Sequence, residues 1–380
     1  MQESGEIRKI DVVEASVYPN QSEQYRTQFR DWRRKPQNHY AFSFIKDLKE
    51  SSFSEDMSIL KETPASVEHT ALRRLGFLIG SALVLYLVLE NVLDKVIVFI
   101  MNHMNLDIEV MFLGSYLYGD GKYVFYVSAA VNLLKYLVPA LVIGIALRLP
   151  RRVSHPMKLQ RPKELLLGIC ITMLFSVLLG LFCVSRSAEL EKYRMLSSAA
   201  DAGNFQLLLH LIMSLLIIPF AAELLLHGSM FQVLRQFGDY FAIYVVSLIA
   251  ALLSHAPQDA LRIGIMTLIF SIFVVSSGSF WTAVLLHIIH EIYMFALYYW
   301  ESTDGLYSVH WWLLILLPCL ICLITGAYLL HQRYRSGKNV NNNVTYLKWY
   351  DKAAAFFLSL PMLSLIIVSL MLIVISSVML

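Results

Sequence analysis

The stretch Leu208 to Phe237, LLHLIMSLLIIPFAAELLLHGSMFQVLRQF, constrains this chain more than any other. It exceeds the ~20 apolar residues a bilayer crossing needs, yet it carries Pro219, Glu223 and His227 in its middle. A carboxylate at that depth costs ~2.5 kcal/mol or more on insertion scales, so it needs a partner or a task. Glu223 and His227 are four apart and share one helical face. Pro219 removes a backbone hydrogen bond and predicts a kink there. The small pairs Ala221–Ala222 and Gly228–Ser229 allow another helix to approach closely.

The chain around it is of the same kind. Of 380 residues, 57% are hydrophobic and 16% charged, where soluble domains run nearer ~25% charged. The expected fold is all-α: a polytopic transmembrane helical bundle of about nine spans (8–10) around a polar intramembrane site. Apolar runs place the spans near 75–101, 124–147, 164–184, 206–236, 240–255, 259–276, 279–300, 309–331 and 354–380. Four regions follow: a polar cytosolic tail over 1–72, three helices over 73–203, a core over 204–300, and two helices over 301–380. No secretory leader and no lipidation signal is evident in the termini. Cys319 and Cys322, one turn apart in a span, read as packed reduced thiols.

The net charge of +3 says little; its distribution says more. Basic residues crowd the loops 148–163 and 332–353 and precede the first span as Arg73 and Arg74, whereas 102–123 holds only Lys122. With nine spans these basic loops share one side. The positive-inside rule then puts the N-terminus in the cytosol and Leu380 outside a cell membrane. The tail itself reads as loosely ordered, with FSFIKDLKE able to form a short amphipathic helix; the alternative is a membrane-surface or partner contact through Trp32, Arg33, Arg34 and Lys35. Glu90, Asp94 and Lys95, inside the first apolar run, read as a local ion-pair group. Asp259 and Arg262 read as capping charges beside Pro257.

Two further segments bring titratable groups into the apolar region. Glu223 lies fifteen residues before Gly238, and His255 lies fifteen after Tyr240. In an antiparallel hairpin both sit ~22 Å from the turn, at matching height. SGSFWTAVLLHIIHEIYMF then carries His287 and Glu291 four apart, with His290 beside them and Ser279 as an N-cap candidate. His287 is nearer its turn, so tilt or a broken helix must bring it level. A buried carboxylate beside an imidazole can take a proton from water, and a second imidazole can donate to an oxyanion. His227, His255, His287 and Glu291 are also metal-ligand types, although their spacing is not HExxH. A hydrogen-bonded cluster that only joins helices is the plainer alternative.

Over about 205–298 the chain resembles the CAAX-protease and bacteriocin-processing (CPBP, Abi-like) intramembrane peptidases. That family carries EExxxR followed by Gly, then FxxxH, then a histidine with Asn four residues on. Here PFAAELLLHG, ALLSH and SGSFWTAVLLHIIHE stand in those frames. The resemblance implies that Glu223 and His255 activate the attacking water and that His287 helps hold the oxyanion. Four positions depart from it: Ala222 replaces the first glutamate, His227 the arginine, Ala251 the phenylalanine and Glu291 the asparagine. The glutamate mechanism requires no cofactor. The His and Glu replacements add ligand types, which makes a bound divalent ion such as zinc a second possibility. The expected activity is an endopeptidase acting on a membrane-associated peptide or protein, with the bilayer and that substrate as partners and no nucleic acid. His227, His290 and Glu291 are supporting groups in this reading. The alternative is a catalytically degenerate member serving as a membrane scaffold or a bacteriocin-immunity protein, and Ala222 is the residue that favours it.

Overall fold

The computed structural model describes residues 8–11, 18–35, 37–46, 63–106, 108–110, 117–119, 121–182, 203–254, 256–304, 309–335 and 345–379. Helices dominate these residues. Strand β1 (Arg8–Asp11) pairs antiparallel with β2 (Ser43–Lys46), flanking helix α1 (Glu23–Arg34). Helix α2 (Pro64–His103) leads to the short antiparallel pair β3 (Ile108–Val110) and β4 (Leu117–Gly119), then α3 (Gly121–Leu147), the turn α4 (Arg151–Ser154) and α5 (Pro162–Phe182). Next come the composite helix α6 (Asn204–Phe237), α7 (Asp239–Leu252), α8 (Pro257–Ser277), α9 (Phe280–Asp304) and α10 (Val309–Arg335). The bent pair α11 (Trp349–Phe357) and α12 (Leu360–Met379) ends the described chain.

Local chemistry sets several of these boundaries. Thr63 accepts from the amide of Ser66, and Pro64 follows it in the first turn of α2, where a missing N–H costs nothing. Helix α8 opens on Pro257 and ends at Gly278, whose φ of 76° suits glycine. A β-carbon on Gly278 would also lie 2.0 Å from the Asn20 carbonyl oxygen, so that turn admits no side chain.

Among the described residues, six helices are long and apolar enough to cross a membrane, or seven if α11 and α12, bent by 84°, form one span. The protein is thus a multi-pass helical bundle, but nine spans are not reached by this measure. Helix α7 has 14 residues, and α2, with Glu90, Asp94 and Lys95 in its apolar run, stands outside the set. The ion pairing in α2 also differs from the expected local group. Lys95 pairs with Asp94 at 3.4 Å, whereas Glu90 reaches across to Lys135 of α3 at 2.7 Å.

Residues 18–46 are not a loose tail. Tyr25, Phe29 and Trp32 recur along one face of α1 and are buried. They dock onto helix ends from distant parts of the chain. Trp32 Nε1 donates to the Leu147 carbonyl (2.8 Å), Asn20 Nδ2 to that of Val275 (3.0 Å), and Tyr18 Oη to that of Arg235 (3.2 Å). Trp32 and Arg33 are therefore interior rather than surface contacts, and Arg33 lies 4.4 Å over the Phe29 ring. Ser43–Lys46, expected in a helix, is strand β2. The main buried core runs from Tyr18 to Leu365.

The same end of the bundle collects the basic loops. Arg152 donates to Gln24 at 2.8 Å, the Gln160 amide to the Ser277 carbonyl at 3.1 Å, and Arg333 pairs with Glu164 at 3.2 Å. The C-terminal pair packs backbone to backbone on α2. A β-carbon on Gly76 would lie 2.2 Å from the Phe356 carbonyl oxygen, and one on Gly80 would lie 2.6 Å from the Met362 nitrogen.

Candidate active site

The site is built on an irregular stretch of α6. Wide π-turns cover Met213–Ile217 and Leu224–Phe231, and the ordinary α-turn Ile218–Glu223 lies between them. The first wide turn ends just before Pro219, which has no N–H to give and whose ring crowds the carbonyl four residues back. The break expected at Pro219 therefore takes the form of extra residues in the turn. The second wide turn begins immediately after Glu223 and contains His227. Its small residues meet close neighbours. Ser229 Oγ donates to the Ala140 carbonyl of α3 at 3.2 Å, and a β-carbon on Gly228 would lie 2.8 Å from His155 Nε2.

Glu223 is 1% exposed, and both of its oxygens are engaged. Oε2 bonds His227 Nδ1 on the same helix, and Oε1 bonds His287 Nδ1 of α9 at 2.7 Å. A carboxylate accepting from both rings fixes the proton on each Nδ1. His227 Nε2 is then the acceptor for the Ser271 hydroxyl of α8, 2.8 Å away. Glu223 thus ties α6 to α9, and His227 ties α6 to α8. Leaving any of these buried polar groups without its partner would cost ~1–3 kcal/mol.

His287 alone of the three faces open space. A cavity of about 430 Å³ lies between α3, α6, α8 and α9. Ala222, His287, His290 and Glu291 line it, with Ser128 and Asn132 of α3 and a largely apolar remainder. Glu223 is not on its wall. His287 Nε2 stands 3.9 Å from Glu291 Oε1, and Phe270 lies 5.6 Å from the His287 ring, centroid to centroid. Asp259 and Arg262, joined at 3.2 Å, also line the cavity near the start of α8. They are a wall ion pair as well as helix-end charges.

The expected depth mismatch of His287 is absent, since it bonds Glu223 directly. His290 turns from Glu223 to α5, where its Nδ1 bonds Ser176 Oγ at 2.7 Å while that hydroxyl donates to the Thr172 carbonyl. Ser279 stands before α9, but its hydroxyl donates to the Pro156 and Met157 carbonyls rather than capping the helix. His255 lies outside the described residues; its neighbour Ser254 lines the cavity. Sequence reasoning overlooked Ser271 and Ser176, although hydroxyls within apolar spans are a usable sign of a polar partner.

Of the residues expected as metal ligands, His255 lies outside the described residues. Among the described residues, none form a group of three or more His, Cys, Asp or Glu able to hold an ion. His227 has both ring nitrogens in hydrogen bonds and Glu223 both oxygens, while His287 and Glu291 line the cavity.

A helical membrane protein with a sealed carboxylate and a cavity-facing imidazole is the class this geometry defines. Within it, residues 204–293, about a quarter of the chain, match the family model for type II CAAX prenyl endopeptidase Rce1-like proteins. The matched residues include Glu223, His227, Ser271, His287 and Glu291. No curated protein and no solved structure matches the chain.

Proposed function

We propose that the protein is an intramembrane endopeptidase that hydrolyses a peptide bond of a membrane-associated protein or peptide, with His287 as the cavity-facing base. The observation that carries this reading is the Glu223–His287 bond at 2.7 Å, with the carboxylate sealed behind the ring and the ring on the cavity wall. The family match over 204–293 supports the same reaction class.

The sealed carboxylate acts through the imidazole. With its Nδ1 proton held by Glu223, His287 presents an unprotonated Nε2 to the cavity. That nitrogen takes a proton from water as the water attacks a carbonyl carbon, and Glu223 stabilises the resulting imidazolium. Glu223 is buried and off the cavity wall, so in this reading the base is His287 rather than the glutamate expected by motif. His255 keeps the role its motif position implies, a second imidazole acting on the same water. His227 and Ser271 hold Glu223 in register. A largely apolar cavity limits competing solvent and strengthens each of these interactions.

In this reading the basic loops and residues 18–46 face the cytosol. A cysteine placed at Lys158 should react with membrane-impermeant maleimide only after cells are opened; labelling of intact cells would reverse the orientation.

N-terminal peptide profiling of membranes tests the activity. Cells expressing the wild-type protein should yield new peptide termini that vanish with His287→Ala, with Glu223→Ala and with His255→Ala. Identical profiles from well-folded, equally abundant proteins would leave a binding scaffold in place of an enzyme.

A further inference from the structure

The proposed base does not stand alone on the cavity wall. His287 and Glu291 are i and i+4 on α9, so both rise from one face of one helix. Their side chains are 22% and 19% exposed, against 1% for Glu223. Nε2 and Oε1 are 3.9 Å apart, too far for a hydrogen bond. A water ~2.8 Å from each would span that gap with an angle near ~90° at its oxygen, a geometry a bridging water accommodates. Of the two carboxylates on the described wall, Glu291 and Asp259, Glu291 is the one beside His287.

We infer that Glu291 is a catalytic residue, the acid that delivers a proton to the departing amine. The inference rests on the peptidase reading above and extends it to the second half of the reaction. The cycle starts with neutral His287 and Glu291 in its acid form. Water gives one proton to His287 Nε2 as its oxygen bonds to the carbonyl carbon, and the C=O π pair moves onto oxygen. When that pair returns, the C–N bond breaks and the nitrogen takes the Glu291 proton. The products are a carboxylic acid and an amine. The proton on His287 then crosses to Glu291 through the next water that bridges them, which restores both groups. One water is consumed and no other reactant is needed.

An amide leaving group must be protonated to depart, whereas a nitrophenyl ester leaves as the anion. This difference makes the inference testable. The probes are a peptide cut by the wild-type protein in the profiling above and a 4-nitrophenyl ester of its acyl half, both assayed with the full-length protein in proteoliposomes. Glu291→Gln should lower amide hydrolysis at least ~100-fold, the lower end for loss of a general acid, and change ester hydrolysis less than ~5-fold. Glu291→Asp should recover part of the amide rate. If Glu291→Gln does not fold, Glu291→Asn carries the same comparison. Equal losses on amide and ester, or no loss on either, would overturn the role of Glu291 while leaving the peptidase reading intact. A wild-type protein that cuts no peptide would overturn both.

Discussion

Two buried acid–base pairs at i, i+4 spacing lie along α6 and its junction with α7, and they share little beyond spacing and burial. Glu223 with His227 sits in the middle of the helix; Arg235 with Asp239 spans its end, joined at 2.7 Å. All four side chains are almost wholly buried. The terminal pair contains a guanidinium that is always charged, and Tyr18 and Tyr25 from the N-terminal segment lie 5.0 and 5.9 Å from it as ring faces. The central pair contains an imidazole and a carboxylate, groups able to trade a proton, and a second imidazole connects it to a cavity. A pair closed off in the core serves to hold the fold together. A pair with one edge on open space can pass a proton to something that enters.

The largest expected contrast is between the two acids. Glu223→Gln should reduce turnover by ~10³-fold or more, the scale seen when a base loses its orienting carboxylate, while the purified protein stays folded. Asp239→Asn should leave turnover per folded molecule near wild type and lower stability by roughly 3–5 kcal/mol, the cost of stranding a buried charge. Thermal unfolding in detergent and activity per folded molecule separate the two. Similar behaviour of both variants would erase the distinction.

Ser271→Ala sharpens the comparison at the next level. It removes the partner of His227 Nε2 and touches neither Glu223 nor the cavity-facing ring. Stability should fall by ~1–3 kcal/mol and turnover by no more than about tenfold, well short of the ~10²–10⁴ expected for loss of a group acting on the water. A loss equal to that of His287→Ala would make His227, rather than His287, the working imidazole.

The smallest effect is one of pH. Burial pushes the His155 imidazole below its ordinary range, and that residue lies in the loop beneath Gly228. The folded state therefore refuses a proton that the unfolded chain accepts. Stability from this site is present above the ordinary histidine range and is lost as pH falls through it. Melting curves of wild type and His155→Gln should diverge least in mild acid and most near neutral pH; parallel curves would remove His155 from the balance.

Much of the central pair was legible in the sequence. A glutamate and a histidine four apart in an apolar run share a face whether the turn is α or π, so Glu223 and His227 had to meet. The bond from Glu223 to His287 was less legible, because counting residues at a constant rise ignores the two wide turns of α6. In the proposed reading that same bond makes His287, rather than Glu223, the base, which motif position alone did not suggest. The N-terminal helix was the larger miss. Tyr25, Phe29 and Trp32 in EQYRTQFRDWRR mark a stripe at helical spacing, but the mean polarity of the stretch hides it. The surface that receives the stripe is made of helix ends, which no local pattern announces. Both wide turns were invisible for a related reason: they respond to Pro219 and to packing, not to any run of residue types.

The docking of the N-terminal segment also orders events in time. Tyr18 and Asn20 are made early, yet their hydrogen-bond partners are the carbonyls of Arg235 and Val275. At roughly 5–20 residues per second, the 257 residues from Tyr18 to Val275 take ~13–50 s to synthesise. The first aromatic residues of the chain therefore wait, apolar and uncovered, until the helices around the site have been inserted. Their arrival needs the ends of α6 and α8 in place, so a protease that trims the N-terminus of nascent chains reports, by the moment protection appears, when those two helices have assembled.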